Sequence, residues 1–356
     1  MEPPATDEVL IRREGRAGHI TMNRPQALNA LTYAMVGGIW DALVAWRDDP
    51  TVELVLLDGA GDRALCAGGD VRSLYDSRTQ GSGFARTFWR DEYRLNALIG
   101  RYPKPYVAIQ HGIVMGGGIG LSGHAAYRIV TERSRLAMPE TGIGLIPDVG
   151  GTWLLAHAPG QAGVYLGLTG ENMSAADAIH ARFSGTFVPS GKLGDLAAQL
   201  CDPKGGNVGT VIAGHAQDPG PSPLAGNSPD IDRAFAGDTV ESMLAALAEM
   251  PGEWAAKTAT ALSQKSPKAL KLTLAAIRNA RSLASLDKAL IVEYRLTVRL
   301  FEDGEFPEGV RALIVDKDRK PRWLPPQLDG VTTEMVARYL TSLPPGEELT
   351  FEDNSR

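Results

Sequence analysis

Short apolar runs alternate with segments of helical spacing through the first half of this chain, and two of the junctions between them are clusters of glycine. Val52-Glu-Leu-Val-Leu-Leu-Asp58, Pro105-Tyr-Val-Ala-Ile-Gln110 and Tyr127-Arg-Ile-Val-Thr131 read as buried strands, with helices expected over Ala30 to Arg47, Arg86 to Gly100 and Gly116 to Ala125. Repeated alternation of this kind argues for an α/β architecture. Ahead of it, Glu8-Val-Leu-Ile-Arg-Arg13 and His19-Ile-Thr-Met22 flank Gly15-Arg-Ala-Gly18, the pattern of a hairpin.

From Pro203 the character changes. Lys204-Gly-Gly-Asn-Val-Gly209 and Asp218-Pro-Gly-Pro-Ser-Pro-Leu-Ala-Gly226 predict a linker, so the expected division is a core over 8–202, a linker over 203–235 and a helical region over 236–356. Beyond the linker, helices are expected at Val240 to Glu249, Glu253 to Ser263 and Pro267 to Arg281. In the last of these Ser266 serves as N-cap and Leu270, Leu274 and Ile277 form one apolar stripe.

At 356 residues with 44% hydrophobic content the chain can bury a large core. A net charge of −6 offers no broad basic surface, so no nucleic-acid partner is expected. Cys66 and Cys201 are too few for a disulfide framework, and no apolar run reaches the roughly 20 residues a bilayer requires. With an acidic start that lacks a signal-peptide or transit pattern, the expected address is the cytoplasm, with no membrane association.

The candidate chemistry lies in Met138-Pro-Glu-Thr-Gly-Ile-Gly-Leu-Ile-Pro-Asp-Val-Gly-Gly151. There Glu140 and Asp148 sit among Gly, Pro and aliphatic residues, where poor solvation moves carboxyl pKa values toward the range of acid/base work. The glycine junctions, Cys66-Ala-Gly-Gly-Asp70 and His111-Gly-Ile-Val-Met-Gly-Gly-Gly-Ile-Gly120, each join a strand to a helix start. Free N–H groups at such junctions can be aimed at one carbonyl oxygen, although such glycines also serve tight turns alone. Gly118-Ile-Gly-Leu-Ser-Gly123 matches a dinucleotide-binding fingerprint, but Glu140 follows a proline and enters a loop instead of ending a strand, which ranks an NAD-dependent oxidoreductase lower. The six histidines lack the close pairing of a zinc site, no metal is expected, and His111 is read as a structural residue. No Gly-x-Ser-x-Gly elbow occurs. Glu92, on an amphipathic helix, and Lys265, Lys268 and Lys271, three residues apart, read most simply as solvated faces.

Together, Met22-Asn-Arg-Pro-Gln-Ala-Leu-Asn-Ala-Leu31, Leu65-Cys-Ala-Gly-Gly-Asp70, Lys104-Pro-Tyr-Val-Ala108, the Gly116 cluster and the Glu140 loop resemble the crotonase, or enoyl-CoA hydratase/isomerase, superfamily. Trp89-Arg-Asp-Glu-Tyr93, Glu293-Tyr-Arg-Leu296, Pro307-Glu-Gly-Val-Arg-Ala-Leu-Ile-Val-Asp-Lys-Asp318 and Pro321-Arg-Trp323 extend the likeness, toward its thioester-hydrolase branch, over nearly the whole chain. The resemblance implies a spiral of ββα units with a C-terminal α-helical region. It implies hydrolysis of a short branched 3-hydroxyacyl-CoA, such as 3-hydroxyisobutyryl-CoA, in valine breakdown. By resemblance, Ala67 and Gly117 form the oxyanion hole, Gly69 and Gly116 line the substrate, and Glu140 and Asp148 are catalytic. Glu92 closes the pocket around the substrate hydroxyl, and Arg24, Ala27, Leu28 and Lys317 bind CoA. Glu140 is then either the nucleophile or the base that activates water. No cofactor is implied beyond the CoA of the substrate, and a homo-oligomer, a trimer or its multiple, is.

This sequence departs from the hydratase pattern where a second acid would follow the glycine cluster, since Gly120 stands there, and at Asp148, where hydratases resemble Gly. Gln26 stands where the family usually has Lys or Glu. The alternatives are a hydratase or isomerase of the same fold, the oxidoreductase, and a silent acyl-CoA-binding module.

Overall fold

The computed structural model describes residues 7–78 and 83–351; the acidic start over 1–6 lies outside the described residues. The chain forms two compact units that interleave along the sequence. The first takes Met1–Asp70, Arg94–Ala137 and Asn172–Ala225, and the second Val71–Tyr93, Met138–Glu171 and Gly226–Arg356. The expected linear division does not hold. Two segments inside the expected core, those carrying Glu92, Glu140 and Asp148, fold with the C-terminal helices.

In the first unit the strands are β1 (Val9–Glu14), β2 (Ala17–Met22), β3 (Leu54–Gly59), β4 (Ala64–Cys66), β5 (Tyr106–Gln110), β6 (Ile113–Met115), β7 (Tyr127–Val130), β8 (Arg135–Ala137) and β9 (Thr186–Phe187). They make a six-stranded sheet ordered β1-β2-β3-β5-β7-β9 and a three-stranded sheet ordered β4-β6-β8. β1 and β2 form the expected antiparallel hairpin, with Val9 opposite Met22, and every later pairing is parallel. Each of the pairs β3/β4, β5/β6 and β7/β8 gives one strand to each sheet before the chain turns into helix, which is the ββα repeat of a spiral. The hairpin turn needs glycine at Gly15, with φ +56°, because a Cβ there would lie 1.9 Å from the Cys201 carbonyl oxygen.

One face of the large sheet, with Leu54, Leu56, Val107, Ile109 and Ile129, packs against Leu196, Leu200, Val211 and Ile212 of the helices Leu193–Cys201 and Val208–His215. The alternate residues of each strand supply this face, as the period of two requires. The expected linker is therefore not a linker. It holds the helices Val208–His215, Pro223–Gly226 and Ser228–Ala234, the first capped by Asn207, and its Gly and Pro residues punctuate them.

The second glycine junction is a packing device. A Cβ on Gly118 would fall 2.3 Å from the Cys66 carbonyl oxygen, so the helix Gly117–Ser122 lies against the end of β4 as only glycine permits. Both groups are backbone and neither can yield cheaply. Gly118→Ala is expected to destabilise the protein by about 1–3 kcal/mol, read as a lower urea midpoint at constant slope; an unchanged midpoint would mean that this contact relaxes freely.

The second unit is helical. Its helix Pro267–Ala280 starts as the sequence predicts, Ser266 accepting from Ala269 N with Pro267 in the first turn, and buries Leu270, Leu274 and Ile277. It packs on Gly151–Ala156 and Ala162–Thr169, and a Cβ on Gly167 would meet Ile277 Cδ1 at 2.7 Å. The expected solvated lysine face is corrected: Lys268 is buried and bonded to Asp303 at 2.6 Å, and Lys271 holds Glu241 at 2.6 Å and the Val331 carbonyl at 2.9 Å. These cations are internal partners.

Candidate active site

Among the buried acids of the second unit are the three that the sequence singles out, Glu92, Glu140 and Asp148. Glu92 comes from the helix Phe84–Gly100 and is buried, contrary to the solvated face expected from its helix alone. Glu140 opens a tight turn, Glu140–Ile143, that ends on left-handed Gly144. That turn is anchored on both sides, because Ser266 N donates to the Thr141 carbonyl at 3.1 Å and Thr141 Oγ1 donates to the Leu168 carbonyl at 3.1 Å. Glu140 Oε2 is buried and has no hydrogen-bond partner among the described residues.

Asp148 is held differently. Its Oδ2 accepts from the Tyr93 hydroxyl at 2.6 Å, and Tyr93 in turn meets Thr297 Oγ1 at 3.0 Å on the helix Leu286–Glu302. Just after it, Glu293 of the same helix accepts from Gly150 N at 2.7 Å and Thr152 N at 2.9 Å, and also from the Thr152 hydroxyl.

Burial is the main cause that moves these carboxyls. It pushes Glu140 well above the ordinary range, with the Asp148 charge adding to it. It likewise lifts Glu92 well above that range, again helped by Asp148. Asp148 rises to about 6, the Tyr93 hydroxyl pulling the other way. Burial also raises Glu293, against its three donors. Burial lowers the Lys265 ammonium, while Glu171 and Glu140 favour its charge. Desolvated carboxyls with raised pKa values are suited to taking and returning a proton near neutrality.

In the first unit, the segment after β4 corrects one expectation. Ala67 N donates to the Leu28 carbonyl at 3.0 Å, so the Ala67 amide is not a free oxyanion donor. Leu31 bridges Gly69 in parallel fashion, its N donating to Gly68 O at 2.8 Å and its carbonyl accepting from Asp70 N at 2.9 Å. This pattern turns the N–H of Gly69, expected only to line the substrate, away from Leu31. Gly117 is the first residue of its helix, after Gly116 at φ +46°, and its N–H has no partner within that helix.

Arg24 is spent on the fold. It donates to the Ala30 carbonyl at 2.7 Å and pairs with Asp70 at 3.4 Å and Glu8 at 3.3 Å, which clamps the turn containing Ala27 and left-handed Leu28. Lys317 is exposed in the second unit, at φ +57°. His111 is structural, its Nδ1 meeting Thr131 Oγ1 at 2.9 Å. His19, Glu14 and Cys201 come close enough together to suggest a metal. However, both His19 ring nitrogens already face partners within hydrogen-bond distance, Nδ1 donating to Glu14 or accepting from Arg12 according to its tautomer, and Nε2 meeting Asp58. The helix Gly117–Ser122 carries the fingerprint glycines, while Glu140 begins a turn after Pro139 instead of ending a strand, so the dinucleotide arrangement is not formed.

Sequence reasoning did not assign Tyr93, Thr152, Glu293 or Thr297 to the site. Tyr93 and Glu293 lay in motifs that carried the resemblance without a role, which was the only signal.

A spiral of ββα repeats, a glycine-rich helix start and buried acids after the third repeat are the marks of one class, and the chain belongs to the enoyl-CoA hydratase/isomerase family, whose model matches residues 17–340. It is 40% identical over 351 residues to the mitochondrial 3-hydroxyisobutyryl-CoA hydrolase of Danio rerio, covering 96% of this chain and 92% of that protein. Among solved structures it is similar to a carnitinyl-CoA dehydratase from Mycobacterium thermoresistibile, with 45% identity, TM-score 0.92 and coverage of 98% and 99% of the two chains. It is equally similar to an enoyl-CoA hydratase from Rhodobacter sphaeroides, with 46% identity, TM-score 0.91 and coverage of 97% and 100%. The relative from Danio rerio overturns the expected cytoplasmic address, since that protein is named mitochondrial. A low cysteine count marks a reducing compartment and does not choose among such compartments.

Proposed function

We propose that this protein hydrolyses the thioester of a short branched 3-hydroxyacyl-CoA, 3-hydroxyisobutyryl-CoA first among them, to the free hydroxy acid and CoA, as a step in valine breakdown. The observation that carries this reading is the make-up of the acid cluster. Asp148, tied to Tyr93, stands beside the Glu140 loop, while the helix Gly117–Ser122 offers Gly120 where a hydratase would need its second acid. Addition of water across a double bond is expected to use two carboxylates around one water, so the names of the solved relatives are weighed below that of the hydrolase.

In the proposed reaction the amides of Gly69 and Gly117 polarise the thioester carbonyl and receive its charge as the carbon becomes tetrahedral. Glu140 supplies the attack, either by taking a proton from water as the water oxygen bonds to the carbonyl carbon, or by bonding to that carbon itself to give a mixed anhydride that water opens. The C–S bond breaks and the CoA sulfur takes a proton, so water is the only co-reactant and no further cofactor is consumed. Asp148 binds the 3-hydroxyl, and Glu92 closes around the same group. A homo-oligomer, a trimer or its multiple, belongs to this proposal.

The deciding experiment mixes the protein with 3-hydroxyisobutyryl-CoA and, separately, with crotonyl-CoA. Release of free thiol from the first, with slow or no hydration of the second, is expected; rapid crotonyl-CoA hydration without thiol release would replace this reading by the hydratase one. Single turnover in heavy-oxygen water tests for the anhydride, because label enters the Glu140 carboxyl only when such an intermediate forms and water opens it at the glutamyl carbon.

A further inference from the structure

Asp148 is followed by two consecutive left-handed residues, Val149 at φ +54° and Gly150 at φ +81°. For glycine this conformation is ordinary, but for a β-branched residue it is a strained outlier that persists only where the surroundings impose it. Two constraints act on it: the turn closes on itself, Gly151 N donating to the Asp148 carbonyl at 2.6 Å, and a side chain grips its far end. Glu293 reaches the residues just beyond the strain, accepting Gly150 N at 2.7 Å on one oxygen and Thr152 N at 2.9 Å with the Thr152 hydroxyl on the other. One helical turn further along the same face, Thr297 meets the Tyr93 hydroxyl that binds Asp148 Oδ2.

We propose that Glu293 is a positioning residue which, by gripping Gly150 and Thr152, holds Val149 in its left-handed conformation and thereby aims Asp148 at the substrate hydroxyl. The inference rests on the reading of Asp148 as the hydroxyl-binding group. Only a carboxylate offers acceptors on both arms; glutamine would turn an NH2 toward one of the two backbone donors and leave a buried N–H unpaired.

The test compares kcat/KM on 3-hydroxyisobutyryl-CoA with kcat/KM on isobutyryl-CoA, which lacks the hydroxyl. Glu293→Gln is expected to lower the ratio of the two by about tenfold or more. Thr152→Val, which deletes one donor and keeps the shape, is expected to lower it less and in the same direction, and stands in if Glu293→Gln does not fold. Adding Val149→Gly to Glu293→Gln removes the strain the clamp opposes, so the double variant is expected to regain most of the lost ratio. A merely structural Glu293 would depress both substrates equally and gain nothing from the glycine. Asp148→Asn, measured alongside, separates the failures. If it shifts the ratio while the Glu293 and Thr152 variants do not, the positioning role is overturned alone; if it leaves the ratio unchanged, the hydroxyl-binding reading falls, and this inference with it.

Discussion

Glu140→Gln is expected to lower thioester turnover by about 10²–10⁴-fold, the range for loss of a positioned acid/base group, with KM little changed. Glutamine keeps the shape of a side chain whose anchoring comes from its neighbours, the Thr141 bonds to Ser266 and Leu168, so the turn should persist. What it removes is the oxygen that can take a proton, and Glu140 Oε2 is buried with no hydrogen-bond partner among the described residues. The pH profile follows from the same burial. Because the carboxyl is pushed well above its ordinary range, and the ionised form performs the attack, kcat/KM should rise with pH through that elevated pKa. The charge of Asp148 is the second cause of the elevation, so neutralising Asp148 should move this limb to lower pH. Turnover that survives Glu140→Gln unchanged would remove Glu140 from the chemistry.

The division of labour between sequence and structure falls along a physical line. Period-two and helical patterns, the Ser266-Pro267 helix start and the hairpin were legible because each depends on residues a few positions apart. Glu140 and Asp148 were legible because their apolar neighbours in the chain already implied poor solvation. The interleaving of the two units was not, since it depends on what Glu293 and Ser266 do more than 100 residues from the loop they anchor. The Gly- and Pro-rich stretch after Pro203 misled for a related reason: Val211 and Ile212 become core only because a sheet face needs covering. The resemblance points to Ala67 instead of Gly69 as donor because a matched motif names a junction without saying which amide Leu28 has already taken.

Asp148→Asn should make the protein more stable and less discriminating at once. With its pKa raised from the unfolded value to about 6, the folded Asp148 binds a proton more tightly than the unfolded chain does. Its contribution to stability is therefore full below about pH 4 and is lost as pH rises through about 6. By linkage, that elevation corresponds to at most about 3 kcal/mol forgone at neutral pH. Asparagine is neutral at every pH and its oxygen can still accept the Tyr93 hydroxyl, so the variant should exceed the parent in urea midpoint at pH 7 and match it near pH 4. A hydrogen bond from the substrate hydroxyl to a charged acceptor contributes about 1.5–3 kcal/mol. Its loss should lower the preference for 3-hydroxyisobutyryl-CoA over isobutyryl-CoA by roughly ten- to a hundredfold. Both changes come from one fact, a carboxylate kept ionised where burial disfavours its charge. A variant that gained no stability at pH 7 would show that Tyr93 and its surroundings already offset that burial, and equal losses on the two thioesters would take hydroxyl recognition away from Asp148.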